Sequence, residues 1–169
     1  MSIYFVRFVR MSLAICCAFS GLSATAQSAP PANNTNYIGI GSAIGVSGNT
    51  TALGTGGVVI LTKVEFSEHL SLHDATIVFG NGDPTSMIIL TAELPIRNDA
   101  GKTILSPFLG GGAMLRYRDG VSFSPAISGG VDIPLSKDFT GTVRLNLGFP
   151  SHRSADVGVL IGAGFNLGG

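Results

Sequence analysis

The sequence predicts an all-β protein: a single closed antiparallel up-and-down barrel of eight strands that crosses a membrane. Three observations carry this. From Tyr37 onward, apolar residues recur at period two in eight segments of roughly ten to fifteen residues, separated by Gly, Pro, Asn and Asp turns. The chain is oily for its size, with mean hydropathy +0.44, 45% hydrophobic residues and only 12% charged ones. The strand face opposite the apolar one is Gly, Ser, Thr and Ala with isolated charges, where a water-facing wall would be rich in Lys, Glu and Asp. An apolar face turned out to lipid and a small, polar face turned in to a crowded lumen account for all three.

The elements follow in order. Residues 1–26 read as a secretory signal peptide, with Arg7 and Arg10 ahead of the apolar run Leu13 to Leu22 and an A-x-A site at Ala24 and Ala26. Cleavage is expected after Ala26. Both cysteines, Cys16 and Cys17, fall in this segment, and Ile15 stands where a lipoprotein site needs a small residue. The mature chain therefore has no thiol, and its eight basic and ten acidic residues include no polybasic run. Nucleic-acid binding is excluded on that ground. Residues 27–35 (QSAPPANNT) read as a flexible leader, and 36–169 as the barrel.

Eight strands are expected near 37–46, 55–66, 69–79, 85–96, 103–117, 121–133, 139–149 and 155–167. The eighth is the clearest, with Val157, Val159, Ile161, Ala163, Phe165 and Leu167 alternating with Asp156, Gly158, Leu160, Gly162, Gly164 and Asn166. The first sets Ile38, Ile40, Ile44 and Val46 against Gly39, Gly41, Ala43 and Gly45. The third breaks phase, since Leu70 and Leu72 are out of step with Ala75, Ile77 and Phe79; a β-bulge at His73–Asp74 would restore one apolar face, the alternative being a strand that ends there. Each strand is long enough to cross a bilayer when tilted, and ring closure leaves no bare edge in lipid. Aromatics fall at two levels, Phe79, Tyr117, Phe123 and Phe149 at one rim and Phe66, Phe139 and Phe165 at the other. An even strand number puts both chain ends, and the connections 66–69, 97–102 and 134–138, on the periplasmic side.

Over residues 36–167 the chain resembles the small eight-stranded outer-membrane barrel family of OmpA or OmpX type. The residues that carry this are Ser106-Pro107-Phe108-Leu109-Gly110-Gly111-Gly112-Ala113, the run Phe66-Ser67-Glu68-His69-Leu70-Ser71-Leu72, and the closing Gly162-Ala163-Gly164-Phe165-Asn166-Leu167. The chain departs from the family in ending Leu167-Gly168-Gly169, without a terminal aromatic, and in having short connections throughout.

The expected function is that of an integral outer-membrane barrel with a filled lumen and a structural or interaction role, monomeric, not an enzyme, and without cofactor or metal. Lys63, Glu65, Glu93, Arg116, Asp132, Arg144 and Asp156 are expected to point inward as one charge network, with Gly39, Gly41, Gly110, Gly112, Gly162 and Gly164 giving them room. The alternatives are a soluble secreted barrel binding a small apolar ligand, and an outer-membrane enzyme or narrow channel. For catalysis the one candidate cluster is Ser151-His152-Arg153-Ser154 with Asp156, which reads as a polar turn. His69 and His73, four residues apart on a strand, lie about 13 Å apart, too far to share a metal.

Overall fold

The computed structural model describes residues 36–151 and 154–168. The expected signal segment and leader (1–35), and His152 and Arg153 of the candidate cluster, lie outside the described residues. The strands are β1 (Tyr37–Ser47), β2 (Gly57–Ser67), β3 (Leu70–Val78), β4 (Thr85–Glu93), β5 (Ile96–Arg97), β6 (Thr103–Tyr117), β7 (Val121–Pro134), β8 (Phe139–Gly148) and β9 (Asp156–Asn166). A four-residue helix, α1 (Ala52–Thr55), lies in the β1–β2 connection.

All neighbouring strands pair antiparallel, in the order β4-β3-β2-β1-β9-β8-β7-β6, and β4 pairs with β6 to close the ring. This is the eight-strand barrel that period-two patterning demands: each strand buries one face, and closure leaves no unpaired edge. Two elements, α1 and β5, were not foreseen. The expected strand 85–96 stops at Glu93, and β5 stands outside the ring on β6 alone. Asn98 turns the chain back there, its side-chain oxygen accepting from the backbone N–H of Ala100 and Lys102.

Both described ends lie at one rim, here the lower rim, where Tyr37 pairs with Asn166. The outer wall carries exposed Ile38, Ile40, Ile60, Leu90, Leu109, Ile127, Val143, Leu145 and Ile161. Phe79 and Phe123 are exposed at the upper rim, and Phe66, Phe139 and Phe165 at the lower, where the last two meet edge to face at 5.6 Å. A soluble fold hides such residues; this one buries Lys63, Arg144, Asp132 and Asp156 instead. Among the described residues no helix is long and apolar enough to cross a membrane, which says nothing of crossing by strands.

The third strand corrects the sequence reading. Its pairing with β2 runs without interruption from Val78 to Ser71, including His73 opposite Lys63 and Asp74 opposite Thr62, so there is no bulge at His73–Asp74. The register shifts lower down, between Glu65 and Ser67. Ala75 and Ile77 consequently face the lumen and are buried, while Asp74 and Thr76 alternate onto the outer wall with Leu70 and Leu72. The physical reason is that the upper lumen is itself apolar and accepts Ala75 and Ile77 in their natural phase.

Candidate functional site in the barrel lumen

Lumen side chains sort into a charged lower tier and an apolar upper tier. The lower tier is built where β1, β2, β3, β4, β7 and β8 project inward near the lower rim. Lys63 Nζ donates to Glu93 Oε2 at 2.7 Å and lies 3.3 Å from Asp132 Oδ2. His73 Nε2 is 3.0 Å from the other Glu93 oxygen, and its ring lies against Phe108 at 4.3 Å. Tyr37 Oη donates to Asp132 Oδ1 at 3.2 Å and accepts from Arg144 Nη2. Arg144 also donates from Nε to Thr142 Oγ1 at 3.2 Å, and its guanidinium carbon lies 5.7 Å from the Phe108 ring centre.

Two cations and two carboxylates thus share one buried cluster, so formal charge balances without water. Stripping water from an ion costs several kcal/mol, and only close pairing offsets it; an exact charge match is what so narrow a space requires. One nitrogen and two oxygens, from His73, Glu93 and Asp132, lie within 4.8 Å of one another, a donor set suited to a divalent cation. The Lys63 ammonium already touches both carboxylates of that set. The positive charge between them is the chain's own.

The upper tier is a small hydrophobic core. Val59, Leu61, Ala75, Ile77, Met87, Ile89, Met114 and Leu160 are buried there, and α1 folds into the mouth above them with Leu53 fully buried. Glycines admit the plug. A Cβ on Gly45 would come within 1.9 Å of the Gly54 carbonyl oxygen, one on Gly158 within 2.4 Å of that of Leu53, and one on Gly148 within 2.3 Å of Met114 Sδ. The plug is tied to the β3–β4 connection, Ala52 N donating to Asp83 O at 2.8 Å and Gly82 N to Thr55 Oγ1 at 3.0 Å.

Of the seven charges expected in one network, Lys63, Glu93, Asp132 and Arg144 meet. The other three stand apart. Glu65 sits near the lower rim, where its backbone N–H donates to Asn36 Oδ1 at 2.6 Å. Arg116 is at the upper rim, donating to Ser122 Oγ at 3.2 Å with Asp83 at 4.0 Å. Asp156 is buried under the plug, its Oδ1 against Gly48 and Gly54, and among the described residues neither of its oxygens has a hydrogen-bond partner. The glycines also make room for other groups than expected. Gly164 faces the Tyr37 ring and Gly162 faces Leu61, while Gly39, Gly41, Gly110 and Gly112 face the backbone of the next strand.

Sequence reasoning missed Tyr37 and His73 as members of the cluster. Each was legible in principle, since Tyr37 is in phase with Gly39 and Gly41 and His73 with Ser71, all on the inward face. His69 and His73 do converge, but on Glu93: His69 Nδ1 is 3.1 Å from its backbone oxygen and His73 reaches its carboxylate.

The N-terminal β-barrel domain of Pseudomonas aeruginosa OprF is similar to this chain, with a TM-score of 0.51 at 12% identity over 80% of this chain and 98% of that one. Ail, the attachment invasion locus protein of Yersinia pestis, gives a TM-score of 0.49 at 15% identity over 80% and 99%. No protein-family model matches the chain, and no curated protein matches it. The likeness to the OprF domain shows the fold alone: an all-β closed barrel of eight antiparallel strands.

Proposed function

We propose that the chain is a small integral barrel of the bacterial outer membrane, exported on a signal peptide cleaved after Ala26, with a structural or interaction role and no catalysis. The observation that carries this is inverted polarity. Exposed Ile, Leu, Val and Phe girdle the wall, while Lys63, Arg144, Glu93 and Asp132 are each no more than 7% exposed inside it. Such an arrangement is stable where the solvent outside is hydrocarbon. The filled lumen makes the barrel a closed one, with Arg144 reaching from β8 to Tyr37 on β1 and across the bore to the Asp74 carbonyl oxygen on β3.

The test has two arms. The protein should extract only with detergent and migrate differently on a gel before and after boiling; release without detergent would favour a soluble ligand-binding barrel instead. In planar bilayers the parent should be silent, and Arg144→Ala should open a small conductance. If parent and variant are equally silent and equally stable, the lumen network is not a plug. Protease added to intact cells should leave 97–102 uncut, and cleavage there with the membrane intact would overturn the orientation.

A further inference from the structure

Asp156 opens β9 (Asp156–Asn166) and lies beneath the plug, apart from the charged tier. It is fully buried, and among the described residues neither carboxylate oxygen has a hydrogen-bond partner. Its Oδ1 is aimed at two glycines. A Cβ on Gly48 would lie 1.8 Å from that oxygen, and Gly48 has φ +90°, so both the space and the backbone there call for glycine. A Cβ on Gly54, in α1, would lie 2.8 Å from the same oxygen and 2.8 Å from the Gly48 carbonyl oxygen. An acid oxygen and a main-chain oxygen thus converge on the bare face of Gly54. The way in is from the upper mouth, where Gly48 is half-buried and Asn49 exposed.

We propose that the Asp156 carboxylate and the Gly48 carbonyl oxygen hold a calcium ion, which clamps the plug to β9. A buried carboxylate is stable where a donor or a cation faces it. Lys63 does this for Glu93 and Asp132 in the lower tier, whereas at Asp156 the described residues supply no hydrogen bond. Both converging atoms are hard oxygen donors, which suit calcium or magnesium over zinc or copper. Calcium accepts irregular shells completed by main-chain carbonyls and water, whereas magnesium demands a near-ideal octahedron. A single carboxylate makes the site a weak one, with a dissociation constant on the order of 10⁻⁴–10⁻³ M. The ion gives α1 a second mooring. The first is on the other side of the mouth, where Ala52 N donates to Asp83 O and Gly82 N to Thr55 Oγ1.

Calorimetric titration of calcium chloride into the purified, chelator-treated full chain in non-ionic detergent tests this, with heat-modifiable migration as the check that each variant is folded. The parent should bind one calcium ion per chain, and magnesium at least tenfold more weakly. Asp156→Asn should abolish binding, and Asp119→Asn, at an exposed turn, should leave it unchanged. Gly54→Ala, whose methyl crowds the same two oxygens, should weaken binding at least tenfold and serves where Asp156→Asn does not fold. In urea unfolding, calcium at about 10 mM, well above the expected dissociation constant, should raise the midpoint of the parent and leave that of Asp156→Asn where it was. A parent that binds no calcium up to about that concentration, binding that survives Asp156→Asn or Gly54→Ala, or magnesium binding as tight as calcium overturns the proposal. Detergent dependence and gel migration are untouched by any of these results, so the membrane reading stands or falls separately.

Discussion

The lower and upper tiers of the lumen solve one problem in opposite ways. Both fill a ring of eight strands, which leaves room for side chains and little else. The lower tier fills it with Lys63, Glu93, Asp132, Arg144, Tyr37 and His73, held by direction and charge. The upper tier fills it with Leu53, Leu61, Ile77, Met114 and Leu160, held by shape. The two fail differently. A directional network is intolerant of losing one member, because the partner left behind is a buried ion; a packed tier loses contact area and leaves no ion behind.

Lys63→Met should therefore have the largest effect, lowering stability by about 3–5 kcal/mol, because Glu93 and Asp132 lose the cation between them. Urea unfolding in detergent micelles measures it. Adding Glu93→Leu to that variant should recover part of the loss, the coupling that distinguishes a buried network from independent contacts. Leu53→Ala should cost about 2–3 kcal/mol in the same assay, since it removes contact area and leaves no buried ion unpaired. A loss larger than that of Lys63→Met would reverse the contrast between the tiers.

Gly164→Ala sharpens the boundary between wall and network. Its Cβ would lie 2.4 Å from the Tyr37 ring, so a loss of about 1–3 kcal/mol is expected. Because Tyr37 holds both Asp132 and Arg144, this variant should also conduct, whereas Leu53→Ala should not conduct unless the lower tier has opened. The smallest effect belongs to Arg97→Ala. It removes an exposed pair with Glu68 at the lower rim and should change stability by less than about 1 kcal/mol.

The wall was legible in the sequence and its contents only in part. Alternation alone placed eight strands, since one phase error would turn a whole face the wrong way, and the patterns of β1 and β9 leave no choice. Lys63, Glu93, Asp132 and Arg144 were legible as inward charges by the same phase. Their pairing was not, because it joins β2 to β4 and β7, and β8 to β1, across a bore whose stagger the sequence does not display. The plug was invisible for another reason. Four residues carry no helical period, and Leu53 finds its place through Gly45, Gly148 and Gly158, which are distant in sequence. The third strand misled because its apolar residues change face midway, Leu70 and Leu72 on the outer wall and Ala75 and Ile77 in the apolar upper lumen.

The seam between β1 and β9 has a consequence for how the molecule forms. Tyr37 finds Asn166 and Ser47 finds Val157, so the first strand waits for the last before the ring exists. Pairings this remote in sequence are slow to form, because the entropy of closing the loop is lost before any contact repays it. Until then β1 and β9 each present a bare edge that hydrocarbon cannot satisfy. Insertion and closure must therefore proceed together, and a chain cut short before Asp156 would present two open edges to whatever strand reached them first.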